Sequence, residues 1–257
     1  MKPTADKRSP IRRPPVRVAG QSLDGEIHRY LEDKAYPTVM FALLLTGVAA
    51  MEWWRWYREV PPQPVPATVV AVIAWIWFFL WLPRHRKRLR AMRQGLEGER
   101  AVAEYLDRFR DHGYHVFHDI VGEGFNIDHV LVGPTGLYTI ETKTISKPAK
   151  GSPKVTFEGD TLRVGGYAPD RDPIVQAKAQ ATWLAELLGK PGGRKVSVQP
   201  VVLYPGWFVE PRPKGFPVWV LEPKSLEGFL AHEPEKISPE DVKTLAWQVK
   251  QYVGSEE

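Results

Sequence analysis

Two long uncharged stretches dominate the hydrophobic pattern of the first third of the chain. The first covers residues 35–51 and is followed by three tryptophans, and the second covers residues 61–83. A helix needs about 20 apolar residues to cross the hydrocarbon core of a bilayer, and tryptophans near its ends fit the membrane interface. The pattern therefore predicts two transmembrane helices, at about 36–57 and 64–83.

A buried helical hairpin and a cleaved signal peptide are the alternatives for this region. The second stretch is apolar on all sides around residues 75–81, which is rare for a helix in a soluble core. The polar lead of residues 1–34 is too long for a signal peptide, and a second apolar stretch follows the first at once. Both features favour two spans.

The rest of the hydrophobic pattern predicts a domain of helices and strands. Residues 94–110 have apolar positions at helical spacing, and three strands follow, two of which flank "GPTG". A hairpin around Gly159-Asp160 comes next, and then a helix over 173–189 with Asp172 as its expected N-cap. Two further strands and a closing helix, "SPEDVKTLAWQVKQYV", complete the order. This order predicts an α/β or α+β domain with one central sheet.

The positive charge of the chain is concentrated in its N-terminal third. Residues 1–93 hold 16 Lys and Arg against 7 Asp and Glu, whereas residues 94–257 hold 19 against 23. Basic clusters at 1–17 and 84–93 lie outside the two predicted spans, so the positive-inside rule places both termini and the domain on the cytoplasmic side of the cell (inner) membrane. We expect residues 1–34 to be disordered and residues 84–93 to bind anionic lipid headgroups.

Three charged residues interrupt the strands that flank the "GPTG" turn. A type I turn at Gly133–Gly136 pairs the strands so that Asp128 lies opposite Glu141, with side chains about 5 Å apart. Two carboxylates at that distance repel each other unless a cation lies between them, and oxygen ligands suit magnesium or manganese. Lys143 lies on the same face and can reach a phosphate or an attacking water. Because the chain has no cysteine, thiolate metal sites and a cysteine nucleophile are excluded.

A third carboxylate, Glu99, lies in the middle of the apolar stripe of the helix predicted over residues 94–110. An acid at the centre of a buried stripe is rarely structural. If this helix packs beside the hairpin, Glu99 joins Asp128 and Glu141 as a metal ligand. The alternative is that Lys143 forms a structural ion pair with one of the strand carboxylates on an exposed face.

At these residues the chain resembles the NERD (nuclease-related domain) family of the PD-(D/E)xK nuclease superfamily. The resemblance covers residues 94–205 and rests on three blocks in this order, "GLEGERAVAEYL", "NIDHVLVGPTGLYTIETK" and "DPIVQAKAQ". It implies a restriction-endonuclease-like core, in which a mixed central sheet is flanked by helices. It also implies cleavage of phosphodiester bonds with Mg²⁺ or Mn²⁺ as the cofactor.

The resemblance implies roles for five residues. Asp128 and Glu141 would be metal ligands, and Glu99 would be the acid carried by the first helix. Lys143 would orient or activate the water and stabilise the pentavalent phosphorus. Gln176 would be the glutamine that is common at the start of the second helix.

The chain departs from the family pattern at two positions. Ile127 precedes Asp128 where the superfamily has proline, and Gln180 stands where relatives with a Gln-x-x-x-Tyr helix motif have tyrosine. This leaves the DNA contacts of that helix open. His129 alternates to the opposite face from Asp128, so we expect it to support the site or to pack beneath it rather than to be catalytic.

Three lysines, Lys147, Lys150 and Lys154, follow the strand that ends near Lys143. They either bind the nucleic-acid backbone or belong to a solvated loop, and the sequence favours neither. Residues 206–257 lie outside the resemblance, and we expect them to form an extension that packs on the domain.

The sequence as a whole predicts a two-helix transmembrane hairpin followed by an α/β (α+β) nuclease domain. Its expected function is membrane-anchored, divalent-metal-dependent hydrolysis of phosphodiester bonds in nucleic acid, with DNA as the first candidate. The alternative is a catalytically inactive nuclease-like module that binds nucleic acid or a partner protein at the membrane.

Overall fold

The structure is a computed structural model that describes most of the chain. It covers residues 18–61, 64–122, 124–147, 153–158, 161–189, 196–211 and 216–255. Half of the predicted disordered segment, residues 1–17, lies outside the described residues, as does Lys150. The chain divides into two units, one of Ser22–Glu97 and one of Met1–Gln21 with Gly98–Glu257.

Three helices account for the first unit. Helix α1 (Gln21–Tyr30) continues through a π-helical turn into α2 (Tyr36–Tyr57), and α3 covers Pro64–Asp107. Helix α2 has the bounds that the hydrophobic pattern predicts. Helix α3 differs from the prediction, because one continuous helix takes in both the second predicted span and most of the predicted helix over 94–110. The residues after Pro83 are mainly Arg, Lys, Leu, Ala and Met, which are strong helix formers, so the helix continues past the proline.

Large apolar side chains point outward from α2 and from the first part of α3. Those more than half exposed include Met40, Phe41, Leu44, Trp54, Val65, Ile73, Trp77, Phe79 and Leu80. The helical stretches Gln21–Tyr57 and Pro64–His112 each contain a window that is long and apolar enough to cross a membrane, and only 11% and 6% of these windows are buried.

The second unit is a mixed α+β domain. Its strands, in chain order, are β1 (His115–Gly122), β2 (Phe125–Gly133), β3 (Gly136–Thr142), β4 (Lys154–Glu158), β5 (Thr161–Val164), β6 (Val198–Leu203), β7 (Phe208–Val209) and β8 (Trp219–Leu221). Its helices, besides the end of α3, are α4 (Pro173–Gly189), α5 (Leu226–His232) and α6 (Pro239–Ser255). The predicted helix over 173–189 and the predicted closing helix are both present.

The strands form two sheets rather than the one that the sequence predicted. The central sheet has the order β1-β2-β3-β6-β8, antiparallel in its first two pairings and parallel in its last two. The β4–β5 hairpin pairs with β7 in a separate three-stranded sheet. Because β3 already has β2 and β6 as neighbours, the hairpin has no free edge of β3 to join.

Helices cover both faces of the central sheet. Val102 of α3 packs in one core cluster with Leu131, whereas Leu184 of α4 and Val249 of α6 pack in another with Val130. Adjacent residues of β2 therefore face different helical layers, as the alternation of a strand requires. The β2–β3 hairpin lies between these layers, so charged residues on it are enclosed by protein.

Candidate functional site

The β2–β3 hairpin has the register that the "GPTG" turn predicts. The pairing begins at the turn glycines and continues as far as His129 and Ile140. Asp128 and Glu141 are the next positions in this register. The backbone N–H of Thr142 donates a hydrogen bond to Asp128 Oδ2 at 2.6 Å, so the carboxylate of one strand fixes the end of the other.

Glu141 is buried, and both of its carboxylate oxygens accept hydrogen bonds. Lys143 Nζ and Gln176 Nε2 donate to Oε1 at 2.6 and 2.7 Å, and Gln180 Nε2 donates to Oε2 at 2.6 Å. Lys143 Nζ also donates to Gln176 Oε1 at 2.9 Å. The ammonium is therefore held between two side chains, while 26% of the lysine side chain stays exposed to an incoming ligand.

Helix α4 supplies both glutamines of this cluster. Gln176 and Gln180 are one helical turn apart and lie on the same face. Gln180 Nε2 also donates to the carbonyl of Asn126 at 2.9 Å, which ties α4 to the start of β2. Sequence reasoning assigned a role to Gln176 and left that of Gln180 open. The four-residue spacing between the two glutamines was the signal from which the role of Gln180 could have been predicted.

Glu99 lies on the buried stripe of α3, as predicted. Its side chain is 9% exposed, whereas Glu97 and Glu104 of the same helix are exposed. Burial raises the pKa of the Glu99 carboxyl to about 7, and repulsion from Asp119 and Glu141 adds to the shift. The backbone N–H of Gly20 donates to Glu99 Oε1 at 2.7 Å and opposes the shift. Glu99 therefore exchanges its proton near neutral pH.

Gly98 allows α3 to approach the strand end that carries the lysine. A Cβ atom at this position would lie 1.8 Å from Thr144 Oγ1 and 2.7 Å from Thr144 Cβ. Rotation of the Thr144 side chain cannot move Thr144 Cβ, so it cannot relieve the clash between this atom and a Cβ at position 98. A glycine is therefore required for the helix to pass this close to the residue that follows Lys143.

Asp119 is a fourth acid at the site, which the sequence reasoning missed. The pairs His118–His129 and Ile120–Ile127 on either side of it place Asp119 opposite Asp128 in the register of β1 and β2. Its side chain is 2% exposed, and its backbone has a φ of 50°. An aspartate followed by two apolar residues in "HDIV", within a predicted strand, was the available signal.

The pKa of Asp128 is raised well above the ordinary range of an aspartate. Burial is the largest cause, and repulsion from Glu141 and Glu99 follows; the Thr142 N–H and the Lys143 ammonium offset part of the shift. The site thus holds more negative charge than its single lysine neutralises. Such an arrangement favours a bound cation or protonation of the carboxyls.

The donors of the site suit a hard divalent cation, although they are engaged with one another. Among the described residues, no group of three or more His, Asp and Glu side chains is brought together as a ready set of metal ligands. The donors are carboxylate oxygens, which magnesium and manganese prefer. Gln180 Oε1 is also buried and has no hydrogen-bond partner among the described residues. The chemistry of the residues therefore fits the cation that the resemblance implies.

His129 lies away from the carboxylates, in agreement with the alternation of β2. Its ring is fully buried, and its Nδ1 lies 2.9 Å from His118 Nδ1. His118 Nε2 contacts Asp107 at 3.3 Å, and His129 Nε2 contacts Thr142 Oγ1 at 3.4 Å. Burial lowers the pKa of both rings. The pair therefore contacts Asp107 on one side and, on the other, Thr142, whose N–H binds Asp128.

The structure places two of the three predicted substrate-binding lysines. Lys147 Nζ lies close to Gly206, where an added Cβ would be 2.9 Å away. Lys154 Nζ lies over the ring of Phe208 at 6.0 Å from its centroid. Both lysines therefore lie beside β4 and β7 and contact neither Glu141 nor Gln176 in the described structure.

Comparisons with known proteins agree with the site at the level of the family. Residues 94–205 match the family model of NERD, the nuclease-related domain. No curated protein matches the chain. A solved structure, protein VC1899 from Vibrio cholerae, is 13% identical, with a TM-score of 0.22 over 92% of this chain and 57% of that chain.

The three blocks of the site, on α3, on the β2–β3 hairpin and on α4, all fall within the matched residues. Residues 94–205 of this chain are therefore similar to the nuclease-related domain of the NERD family.

Proposed function

We propose that the chain is a membrane-anchored nuclease that hydrolyses phosphodiester bonds of nucleic acid, with DNA as its substrate, by a divalent-metal-dependent reaction. The observation that carries this proposal is the cluster in which Lys143, Gln176 and Gln180 all bind Glu141 next to Asp128. A cation would neutralise the buried excess of carboxylates. A phosphate would neutralise the partly exposed ammonium of Lys143.

Asp128 and Glu141 would hold Mg²⁺ or Mn²⁺, with Glu99 as the third acid. The bound cation would neutralise charge on the scissile phosphate and lower the pKa of a coordinated water. Magnesium keeps several waters when few carboxylates bind it, so two or three acids are a sufficient set.

Lys143 has the central role among the groups of the chain itself. Gln176 Oε1 and Glu141 Oε1 fix its ammonium from two sides, which reduces the reorganisation needed when a phosphate arrives. The ammonium would orient the attacking water and stabilise the charge that develops on the phosphorus oxygens. Glu99, with a pKa of about 7 in the absence of a cation, would give up its proton when the cation binds.

The fold supports a restriction-endonuclease-like core for this domain. The mixed sheet has helices on both faces; Asp128 and Glu141 lie on its strands, Glu99 lies on α3, and α4 supplies the two glutamines. The outward apolar surface of α2 and of the first part of α3 supports anchoring in the membrane. The basic residues on the outer sides of both helices support a cytoplasmic location for the domain.

A nuclease-like module without activity is the second candidate. It is favoured by the saturation of Glu141, whose two oxygens already accept three hydrogen bonds, and by the Gly20 contact to Glu99. Such a module would bind nucleic acid or a partner protein at the membrane.

Cleavage assays separate the two candidates. The full chain in detergent is incubated with single- and double-stranded DNA and RNA, in Mg²⁺, in Mn²⁺ or in EDTA, beside Lys143→Met and Glu141→Gln. Loss of a preorganised charged group at a reacting phosphate costs on the order of 10²- to 10³-fold in rate, so both variants should lose cleavage in either metal. Lys236→Met is the matched control, because Lys236 forms an ion pair with Glu233 outside the site.

Cleavage by the wild type and by Lys236→Met alone would establish the nuclease. Binding of nucleic acid by the wild type with no cleavage in either metal would favour the inactive module. Equal cleavage by Lys143→Met would exclude the mechanism as proposed.

A further inference from the structure

Helix α6 presents an aromatic ring between two ammonium groups. Lys243, Trp247 and Lys250 lie four and three residues apart and therefore share one face of the helix. All three are exposed, and Trp247 is 60% exposed. The other tryptophans of the domain are used in packing: Trp207 is 3% exposed, and Trp183 and Trp219 belong to core clusters.

A groove of about 510 Å³ lies between this face of α6 and the edge strand β1. Val116, Phe117, Ala246 and Val253 supply its apolar lining. The polar and aromatic residues that line it are Arg110, His115, His118, Lys243, Trp247 and Lys250. None of the lining residues in the described structure is an aspartate or a glutamate.

The two lysines carry most of the free positive charge of the groove. Arg110 is already engaged, since its Nε donates to Asp107 at 2.7 Å and its Nη2 donates to the Val116 carbonyl at 2.8 Å. Asp107 and Arg110 are each about half exposed, so solvent screens this pair. Lys243 and Lys250 are the cations that an anionic ligand would meet first.

The groove borders the strand that carries the fourth acid of the candidate site. His118 lines the groove, and the next residue, Asp119, lies opposite Asp128 in the β1–β2 register. Neighbouring strands are about 5 Å apart, and each residue advances a strand by about 3.3 Å. A polymer held along the groove would therefore leave it within a few residues of the carboxylates.

We propose that this groove binds a single strand of nucleic acid, with a base stacked on Trp247 and backbone phosphates on Lys243 and Lys250. Positively charged grooves with exposed aromatic rings bind single strands in this way, because every base has a face that can stack. The inference rests on the proposed function and specifies its substrate as single-stranded. It also assigns a role to α6, which lies outside the matched family residues.

A lipid surface is the other ligand that a Lys–Trp–Lys face could bind, because tryptophan and lysine both favour the membrane interface. The shape of the surface favours nucleic acid. An interfacial helix lies on the membrane with an outward apolar face, whereas the apolar residues here line a concave groove whose opposite wall is β1.

Binding is measured apart from cleavage. The full chain, with Lys143→Met in every variant, is placed in neutral-lipid nanodiscs in EDTA and titrated into a short fluorescein-labelled oligonucleotide, single- or double-stranded. Fluorescence anisotropy at several salt concentrations gives the affinity and its salt dependence.

Trp247→Ala should weaken single-strand binding by about tenfold, as expected for the loss of one stacked base, and Trp247→Phe should restore most of it. Lys243→Ala with Lys250→Ala should lower the slope of log K against log salt by about 1.4, at roughly 0.7 per phosphate contact. Trp247→Ala should leave that slope unchanged. The controls Phe229→Ala and Lys224→Ala, an exposed ring and an exposed lysine outside the groove, should bind as the parent does.

Unchanged affinity of Trp247→Ala, or an equal loss in Phe229→Ala, would overturn the proposal. The absence of native cysteine allows a direct test of the lipid alternative with a dye on Gln251→Cys. Its emission should change when the oligonucleotide is added. A change only when neutral lipid is replaced by anionic lipid would show that α6 binds the membrane instead.

The two proposals fail separately. If binding depends on Trp247 but the wild type never cleaves nucleic acid, the groove proposal stands and the nuclease proposal is wrong. If cleavage depends on Lys143 but binding does not depend on Trp247, the nuclease proposal stands and the groove proposal is wrong.

Discussion

In α2 and the first part of α3, large apolar side chains face outward, whereas in and around the β2–β3 hairpin charged side chains face inward. Ile73 and Trp77 are 60% and 52% exposed, while Asp119 and Glu141 are 2% and 5% exposed. Each region reverses the arrangement that water imposes on an ordinary soluble protein. The two reversals differ in how the protein compensates for them.

Among the described residues, little covers the outward apolar side chains of these helices, and we propose that a bilayer covers them. The buried carboxylates are partly compensated from within, by Lys143, Gln176, Gln180 and the Thr142 N–H. Burial still raises the pKa of Asp128 and Glu99, and repulsion among the carboxylates adds to the shift. The two proposed partners differ accordingly: we propose lipid for the helices and a cation for the hairpin.

The largest effect is expected from placing charge on the apolar helices. Ile73→Arg with Trp77→Arg puts two guanidinium groups on one face of α3 at the middle of the proposed span. Each arginine at the centre of a span costs about 2.5–3.5 kcal/mol of insertion free energy. We expect the wild type to stay with membranes after an alkaline wash and the double variant to be largely released.

Thr244→Arg on the exposed face of α6 is the matched control and should fractionate as the wild type does. Release of the wild type itself by the alkaline wash, without detergent, would show that the outward apolar surface has another partner.

Much of this comparison could be predicted from the sequence, because it rests on local patterns. The "GPTG" turn fixes the register of the hairpin, and a register fixes which residues are opposed. The stripe of α3 identifies Glu99 as buried, and the cap at Asp172 marks the start of α4, where its carboxylate accepts the Ile174 N–H at 2.8 Å. These features need only the periodicity of one element and its ends.

What could not be predicted depends on contacts between distant elements. Asp119 is the single acid of β1, and only the pairing of β1 with β2 places it opposite Asp128. The sequence leaves the role of Gln180 open, and only the packing of α4 on the hairpin shows that it binds Glu141. The second sheet depends on the occupied edges of β3, which no local pattern reveals.

A smaller effect, and a test of the buried charge, is expected from Glu99→Gln. Glutamine keeps an acceptor for the Gly20 N–H and removes the ionisable group. Because the pKa of Glu99 rises from 4.5 to about 7 on folding, the folded wild type binds more protons than the unfolded chain between these values. Its stability therefore falls as the pH rises through this window, and the variant should be more stable by about 3 kcal/mol above pH 7 and similar below pH 4.5.

Thermal unfolding of the full chain in detergent with EDTA, from pH 4 to pH 8, measures this difference. Glu104→Gln is the control, since Glu104 lies on the exposed face of the same helix. An equal response to pH in both variants would mean that Glu99 is not held in a buried, repulsive environment.

The smallest effect is expected from Gln180→Met, which tests whether the inward charges are stabilised as a unit. Methionine preserves the length of the side chain and removes the amide that donates to Glu141 Oε2 and to the Asn126 carbonyl. A buried carboxylate oxygen and a partly buried carbonyl then lose their donor, which costs about 2 kcal/mol of unfolding free energy. Gln199→Met is the matched control, because Gln199 Nε2 also bonds two acceptors, the carbonyls of Pro200 and Pro217, on a partly exposed side chain where water can replace it. We expect it to change stability by less than about 0.5 kcal/mol. An equal loss of unfolding free energy in the two variants would show that the Glu141 cluster is open to water. The hairpin would then no longer be a region of enclosed charge that contrasts with the exposed apolar helices.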